Sequence, residues 1–245
     1  MASLPRSALA RPLDLTYPSN RVAALGMLAA LLIARRQGRT WAQAADVAGT
    51  CFLAWATARE LDPDVPMTAN LALPVAFVAH PGTAGGALAG FGLLSAARLL
   101  AGTTGETPMG SDHVAMLAQA GLSARFGSHV AALLPALAPL AAGGGASGAV
   151  SVLGLLVPAA PAARANGSLL PLFAALLVGP ALIAPEDITS ECDRAPRTVR
   201  VQDVRRARIA ALGVLGLGLV TRRPGGLVPL ACAALVVGLH RAAAR

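Results

Sequence analysis

The chain has 245 residues, of which 55% are hydrophobic and 13% are charged, and its mean hydropathy is +0.62. Soluble domains are usually about one quarter charged, so this composition argues against a water-soluble globular fold and favours the lipid bilayer as solvent. The net charge of +8 comes from arginine, because the chain contains no lysine. With 3% aromatic residues, and with arginines that flank apolar runs, the sequence also argues against a nucleic-acid-binding protein.

Apolar runs rich in alanine, leucine, glycine and valine follow one another from Val22 to Leu239. The runs lack the period-two alternation of strands, and backbone groups inside a bilayer must find hydrogen-bond partners within the chain. We therefore expect an all-α fold, a polytopic transmembrane helical bundle. Several runs are shorter than the ~20 residues that cross a bilayer, so about seven to nine spans are predicted, with short or half-spanning helices. In chain order the predicted helices cover residues 18–36, 40–60, 67–80, 83–102, 112–124, 129–142, 147–163, 168–185, 207–222 and 225–241.

Residues 1–20 form a polar leader, and residues 21–245 form a single transmembrane domain that contains the polar loop 185–208. The first apolar run ends at Arg35-Arg36 rather than at small residues, so we expect a retained helix and no cleaved signal peptide. The basic half of the loop suits anionic headgroups, which makes membrane lipids the expected partners; a second copy or another membrane subunit is the alternative. Abundant alanine, glycine, proline and arginine are typical of a GC-rich bacterium, and the expected location is its inner (cytoplasmic) membrane.

Residues 21–38 and 208–225 resemble each other, with ten identical residues in 18 aligned positions. Both segments begin with arginine, carry glycine at the sixth position and end with Arg-Arg-x-Gly. A duplicated helical hairpin would suit the pseudo-symmetric bundles of transporters. Chance similarity in a chain so rich in alanine, leucine and glycine explains the same observation, and the similarity stops before the following helices.

Polar residues recur on one face of the predicted second helix. Gln43, Asp46, Thr50 and Thr57 are separated by steps of three, four and seven residues, which places them on the same side. Polar groups inside a membrane helix usually face the bundle interior or a wet cavity, so Gln43 and Asp46 are candidate substrate-binding residues of a solute path. The alternative for Asp46 is an anchor near the helix start, where the helix dipole favours a negative charge.

Three carboxylates follow one another at the end of that helix: Glu60, Asp62 and Asp64. Oxygen ligands of this kind hold Mg²⁺ or Ca²⁺, so the sequence predicts a metal site there, with Mg²⁺ as the expected ion. Arginine forks bind phosphate, and Arg59 and Arg98 are the candidate substrate-binding residues for an anion. The alternative is a solvated helix end, since Asp-Pro-Asp is a good turn sequence.

A second polar group consists of Ser111, Asp112 and His113, together with Arg125 and His129. A histidine beside a carboxylate can move protons, which makes His113 and Asp112 the candidate catalytic residues. The alternative is structural, because Ser111 and Asp112 are favourable N-cap residues for the next helix and His113 can lie at the membrane interface.

Two short motifs resemble those of known membrane enzymes. The acidic clusters Glu60–Asp64 and Glu186–Asp193 are similar to the paired Asp-rich motifs with which membrane prenyltransferases hold Mg²⁺-diphosphate, although the Asn-Asp-x-x-Asp pattern is absent. The sequence Gly145–Gly148 resembles the serine motif of rhomboid proteases, which would imply Ser147 as nucleophile and His240 as base. Neither resemblance covers enough of the chain to assign a family.

Three functions are compatible with these residues. We favour a membrane enzyme that acts on a phosphate-bearing or lipid-linked substrate at the bilayer interface, because charge is concentrated at helix ends and is scarce within the apolar runs. A small-solute or ion transporter is the second, although proton-driven transporters usually place ionisable groups deeper. A structural or accessory membrane subunit is the third, and it would leave a continuous Gly/Ala face open to a partner.

Overall fold

The structure, a computed structural model, describes residues 7–80, 85–160 and 168–245, and it confirms the predicted all-α fold. The described residues form no β-sheet, although Glu191 and Thr198 make an isolated antiparallel bridge in the polar loop. The α-helices of the described part are α1 (Pro18–Arg36), α2 (Trp41–Leu61), α3 (Ala72–Ala79), α4 (Gly86–Ala101), α5 (Gly110–Phe126), α6 (His129–Ala141), α7 (Gly145–Ala149), α8 (Leu170–Leu177), α9 (Gly179–Leu182), α10 (Val201–Val220) and α11 (Val228–Ala243). Two 3-10 helices, Thr68–Leu71 and Val150–Leu156, precede α3 and follow α7.

Most predicted helix positions agree with the structure. α1 has the predicted bounds, and the bounds of α2, α4, α6 and α11 differ from the predicted ones by three residues or fewer. The helix predicted over residues 168–185 is divided into α8 and α9 at Val178, next to Pro180, which lacks the amide that a continuous helix needs. α10 begins at Val201, six residues before its predicted start, because the end of the polar loop is already helical.

A capping box explains where α2 begins. The Thr40 hydroxyl accepts a hydrogen bond from the Gln43 amide, and the Gln43 side-chain oxygen accepts one from the Thr40 amide. This reciprocal pair satisfies two backbone donors that the first turn of a helix leaves without a partner. Gln43, a predicted substrate-binding residue, therefore has a structural role at the start of α2.

α2 is the central helix of the fold, and it packs against α1, α4 and α11. Small side chains permit the close approach: a Cβ atom added to Gly49 of α2 would lie 2.8 Å from the Cβ atom of Ala87 in α4. α4 packs in turn against α5 and α6, and α8 packs against α10 and α11. The core is therefore a set of closely spaced helices filled mainly by alanine, leucine and valine.

The connections between helices gather at two opposite ends of the bundle. At the α1–α2 end, the Ser128 hydroxyl donates to the Gly225 carbonyl, and at the α2–α3 end, the Asp193 amide donates to the Thr103 carbonyl. Because α2 begins at one end and finishes at the other, these two groups of connections lie a helix length apart. The α1–α2 end comprises residues 37–40, 127–128 and 221–227, and the α2–α3 end comprises residues 7–17, 62–67, 102–109 and 183–200.

The longest helices of the described part are α2, with 21 residues, and α10, with 20. Charged residues interrupt both, since Asp46 and Arg59 lie within α2 and Arg208 lies within α10. Nowhere in the described part is there a helix whose length and apolarity together suffice for a membrane crossing. The transmembrane spans therefore stay a prediction.

Candidate anion-binding cavity

A cavity of about 500 Å³ lies at the α2–α3 end, between α2, α4 and the N-terminal segment. We call it the arginine cavity. Its lining combines guanidinium groups with aromatic and aliphatic side chains and one carboxylate. The lining residues used below are Leu9, Arg11, Asn20, Phe52, Trp55, Ala56, Arg59, Glu60, Phe91, Leu94, Arg98 and Arg194.

Two helices present matching faces to the cavity. α2 contributes Phe52 and, seven residues later, Arg59, while α4 contributes Phe91 and, seven residues later, Arg98. Residues seven apart lie on the same side of a helix, about 10 Å apart along its axis. α2 and α4 run in the same direction, because Asp46 contacts the first turn of α4 and Glu60 contacts Arg98 near its end. The two arginines therefore meet at one end of the cavity and the two phenylalanines at the other.

Glu60 is completely buried at the arginine end. One of its oxygens accepts a hydrogen bond from Arg98 Nε at 2.8 Å, and Arg11 Nη1 lies 3.5 Å from the same oxygen. The other oxygen accepts a hydrogen bond from the Thr103 hydroxyl. A buried carboxylate is tolerated when it is paired and hydrogen-bonded in this way, so Glu60 holds the two arginines in place.

Arg59 differs from the other arginines of the cavity in its partners. Its Nη1 donates to the side-chain oxygen of Asn20 at 2.7 Å, and its guanidinium lies 5.2 Å from the centre of the Trp55 ring. No carboxylate of the described residues lies within ion-pair distance of Arg59, although the charges of Glu60 and Asp193 are near enough to attract it. Its direct contacts are an amide and a π-face. Four guanidinium groups line the arginine cavity and Glu60 is the one carboxylate among its described lining residues, so positive charge is in excess there.

The predicted leader forms one wall of the cavity. The Leu9 carbonyl accepts a hydrogen bond from Arg98 Nη1 at 2.6 Å, and the Ser7 carbonyl accepts one from Arg194 Nη1 at 3.1 Å. Arg11 pairs with Asp193 at 2.7 Å. The described part of the leader is thus held against the helices by arginines, and it covers the polar end of the cavity.

A smaller cavity of about 190 Å³ adjoins the arginine end. Arg11 and Arg59 line both cavities, and the smaller one is also lined by Pro63, Thr103, Ser190, Glu191, Asp193 and Val199. The guanidinium of Arg59 therefore stands between the arginine cavity and the polar loop 185–208.

The three predicted metal ligands diverge from one another. Glu60 pairs with Arg98, while Asp62 lies 3.5 Å from His240 Nδ1 and Asp64 accepts hydrogen bonds from two backbone amides of the polar loop. The divergence arises because α2 ends at Leu61 and the chain then turns, so successive carboxylates meet different elements. In residues 7–80, 85–160 and 168–245, no three His, Cys, Asp or Glu side chains are placed to hold a metal ion, and the predicted Mg²⁺ site gains no support.

The predicted catalytic pair, His113 and Asp112, is not assembled. Asp112 accepts hydrogen bonds from the Ser7 hydroxyl and from the Ala8 and Met109 amides, the last two at 3.0 Å. His113 is buried, and neither of its ring nitrogens has a hydrogen-bond partner among the described residues. Consecutive residues point about 100° apart around a helix, which separates the two side chains. Asp112 therefore anchors the N-terminal segment to α5, and it lies three residues after the N-cap, Met109, rather than at the N-cap position that the alternative proposed. Neither Asp112 nor His113 lines the arginine cavity.

Asp46 lies at the α1–α2 end, remote from the arginine cavity. It accepts hydrogen bonds from the Gly85, Gly86 and Ala87 amides at 2.9–3.2 Å, and His80 Nε2 lies 2.9 Å from one of its oxygens. Asp46 therefore caps the first turn of α4, where the helix dipole favours a negative charge. Asp46 thus serves the start of α4, whereas the alternative read from the sequence was an anchor at the start of its own helix.

A buried ionic network joins α2, α10 and α11 beside the cavity. Arg208, 1% exposed, donates to the Leu61 carbonyl at 2.6 Å and pairs with Glu186, and Arg241 pairs with the same carboxylate. Burial raises the pKa of Asp62, and attraction by Arg208, 3.8 Å away, opposes that rise. From the sequence, Arg208 was expected to meet lipid headgroups. Tertiary packing instead places it in the interior.

No protein-family model matches this sequence, and no significant match was found among curated proteins or solved structures.

The local similarity to rhomboid proteases also gains no support from the geometry. The Ser147 hydroxyl donates to the Gly144 carbonyl of its own turn, whereas His240 of α11 lies against Asp62. The arginine cavity is therefore the feature from which a function is inferred. Of its cationic residues, sequence reasoning identified Arg59 and Arg98 and missed Arg11 and Arg194, which reach the cavity from segments far away in the chain.

Proposed function

We propose that this chain is a multi-pass protein of the bacterial inner membrane whose arginine cavity binds a phosphate-bearing ligand at the bilayer interface. The observation that carries the proposal is Arg59, a cation without a carboxylate partner among the described residues, in a cavity with three further arginines. Guanidinium groups bind phosphate through paired N–H donors. A phosphate group would be attracted by the excess positive charge of these arginines.

The distribution of charge supports a membrane location. The helices are free of charged residues between Arg21 and Arg35 in α1, between Asp46 and Arg59 in α2, and from Ile209 to the end of α10. At 1.5 Å per residue each interval is about 20 Å long. This uncharged belt is thinner than the ~30 Å hydrocarbon core of a bilayer. Arginine side chains that extend toward the headgroups and local thinning of the bilayer would close the difference.

Large apolar side chains cover the outside of this belt. Single exposed apolar residues are normal on a soluble protein, but contiguous apolar surface is typical of membrane or protein contacts. Val78 is 84% exposed and Val220 81% exposed, although both are aliphatic. Further large apolar residues that are at least 40% exposed include Leu25, Leu28, Leu32, Phe173, Leu177, Ile209 and Leu217.

The proposal is limited to binding. Among the described lining residues, Glu60 is the one carboxylate, and Arg98, Arg11 and Thr103 already hold it. The predicted proton-moving residues His113 and Asp112 lie outside the cavity. A role as a membrane enzyme would require a catalytic group supplied by the ligand or by a partner.

The binding proposal is tested with detergent-purified protein and inorganic phosphate or pyrophosphate. A ligand that binds only the folded state raises the unfolding temperature with concentration. We expect a rise for the wild type that is lost in Arg59→Gln and kept in Arg205→Gln, a matched control on the exposed side of α10. Equal shifts in all three proteins would overturn the proposal.

The membrane proposal has a separate test. Membranes from expressing cells are washed with alkaline carbonate, which releases peripheral proteins and leaves integral ones in the pellet. We expect the chain to stay in the pellet and to be released by detergent. Release by carbonate alone would contradict membrane integration, whatever the result of the phosphate experiment.

A further inference from the structure

We infer that the ligand of the arginine cavity is a phosphate-headed amphiphile, with its head between Arg59 and Arg98 and its apolar chain across Phe52 and Phe91. This inference depends on the proposed phosphate site and adds the class of molecule that occupies it. It is drawn from the polarity of the cavity along its length, from the exposure of its apolar end, and from the charge at its arginine end.

The cavity changes from polar to apolar along the α2 and α4 axes. Both helices present an arginine at one end and a phenylalanine about two turns earlier, which separates the two kinds of side chain by about 10 Å. Leu94 and Ala56 lie between them on the same faces. A small soluble anion would use only the arginine end, whereas a molecule with a head and a chain would contact both ends.

The apolar end is the open end. Phe91 is 50% exposed, and Leu88, one turn earlier on α4, is 48% exposed on the uncharged belt. A chain that leaves the cavity past Phe91 would therefore reach the apolar outer surface.

The polar end is partly covered. Arg98 is 8% exposed and holds the Leu9 carbonyl, whereas Arg11, Arg59 and Arg194 are half-buried. Four arginines and one lining carboxylate leave this end with excess positive charge, which favours a phosphate monoester because that group carries about −2 at neutral pH. A carboxylate head carries a single negative charge and would balance less of this excess, so phosphate is the head that fits better.

The experiment compares ethyl, hexyl and decyl phosphate on detergent-purified protein at constant free detergent. If the chain occupies the Phe52–Phe91 end, decyl phosphate binds the wild type at least tenfold more tightly than ethyl phosphate does, because each buried methylene adds to binding. Decanoate is expected to bind more weakly than decyl phosphate. Decyltrimethylammonium, with the same chain and a cationic head, is expected not to compete.

The variant Phe91→Ser removes the ring at the opening, and the expected result is a collapse of the decyl-to-ethyl affinity ratio. Phe173→Ser is the matched control, because Phe173 is also 50% exposed but lies on α8, outside the cavity. If Phe91→Ser does not fold, Phe91→Leu is used, and the ratio is expected to fall part of the way.

The outcomes separate this inference from the proposed function. Phosphate binding that requires Arg59 but shows equal affinity for ethyl and decyl phosphate would overturn the amphiphile and leave the phosphate site standing. A ratio that Phe91→Ser and Phe173→Ser reduce equally would also overturn it, since the chain would then contact the surface or the detergent. If no phosphate compound shows binding that depends on Arg59, both the phosphate site and the amphiphile inference are overturned.

Discussion

Asp64 is an exposed carboxylate that fixes the polar loop to the end of α2. It accepts hydrogen bonds from the Ser190 amide at 2.8 Å, from the Thr189 amide at 3.0 Å and from the Thr189 hydroxyl at 3.2 Å. Burial by itself raises the pKa of Asp64, but the hydrogen bonds with Ser190 and Thr189 outweigh it and lower the pKa below 3.8. The charged carboxylate is therefore the form that ties residues 189–190 to the turn.

Replacing Asp64 by Asn is expected to loosen this connection at neutral pH. The lowered pKa means that the wild-type stabilisation is present above pH 3.8 and is lost as the pH falls through the folded-state pKa. Because the site is exposed, the effect on unfolding is expected to be about 1 kcal/mol or less. The measurement is the unfolding temperature of both proteins between neutral and acid pH. A difference that does not shrink as the pH is lowered below 3.8 would contradict the role of the charge.

At the scale of helices, the two similar segments 21–38 and 208–225 each supply the first arm of a hairpin, α1 with α2 and α10 with α11. Their surroundings differ. A Cβ atom added to Gly26 would lie 2.8 Å from Leu73 Cδ1, whereas one added to Gly213 would meet nothing within 4 Å. The equivalent arginines also differ, since Arg208 is buried and Arg21 is exposed. Similar sequences thus begin helix pairs that pack differently, since α1 packs along α2 whereas α10 packs mainly against α4 and α8.

Two glycine-to-alanine changes test which helical glycines are needed for packing. Gly213→Ala is expected to stabilise the protein by about 0.5–1 kcal/mol, because alanine restricts the unfolded chain and finds open space here. Gly238→Ala in α11 is expected to destabilise it, since the new Cβ would lie 2.9 Å from Val178 Cβ and 3.2 Å from its carbonyl oxygen. Thermal unfolding in detergent measures both. A loss of stability in Gly213→Ala would show a contact on that face of α10, such as a second copy.

On the scale of the whole molecule, the α1–α2 end combines an aromatic ring with arginines. Trp41, at the start of α2, is 65% exposed, and the guanidinium of Arg35 lies 4.5 Å from its ring centre. Exposed tryptophans beside arginines are typical of the boundary between headgroups and hydrocarbon. If the proposed membrane location is correct, Trp41 marks one edge of the uncharged belt.

The depth of Trp41 can be measured by fluorescence. The chain has two tryptophans, so Trp55→Phe leaves Trp41 as the single emitter. In vesicles of brominated phospholipids, we expect stronger quenching by bromine near the headgroups than by bromine near the chain ends, because an interfacial ring lies shallow. Strongest quenching from the chain ends would place this end near the bilayer centre. Absence of quenching at every depth would place it outside the bilayer.

The candidate site was partly predictable. Arg59 and Arg98 follow from residue chemistry, because each is an arginine near the end of an apolar helix, and the structure brings both into one cavity. Arg11 and Arg194 were not predictable, since they lie in the leader and in the polar loop, and no local pattern relates them to α2 or α4. Glu60, Asp62 and Asp64 look like one cluster in sequence, but their directions depend on the turn that follows α2.

The sequence by itself determined the helical class, most helix positions and the concentration of charge at helix ends, because these depend on hydrogen bonds and residue preferences within a few turns of chain. Tertiary structure alone decided the partner of each charge. In the folded chain Arg208 is buried, Asp46 caps the start of α4, and no carboxylate among the described residues forms an ion pair with Arg59. The physical reason is that electrostatic pairing depends on which helix faces come together, and those contacts join residues far apart in the chain.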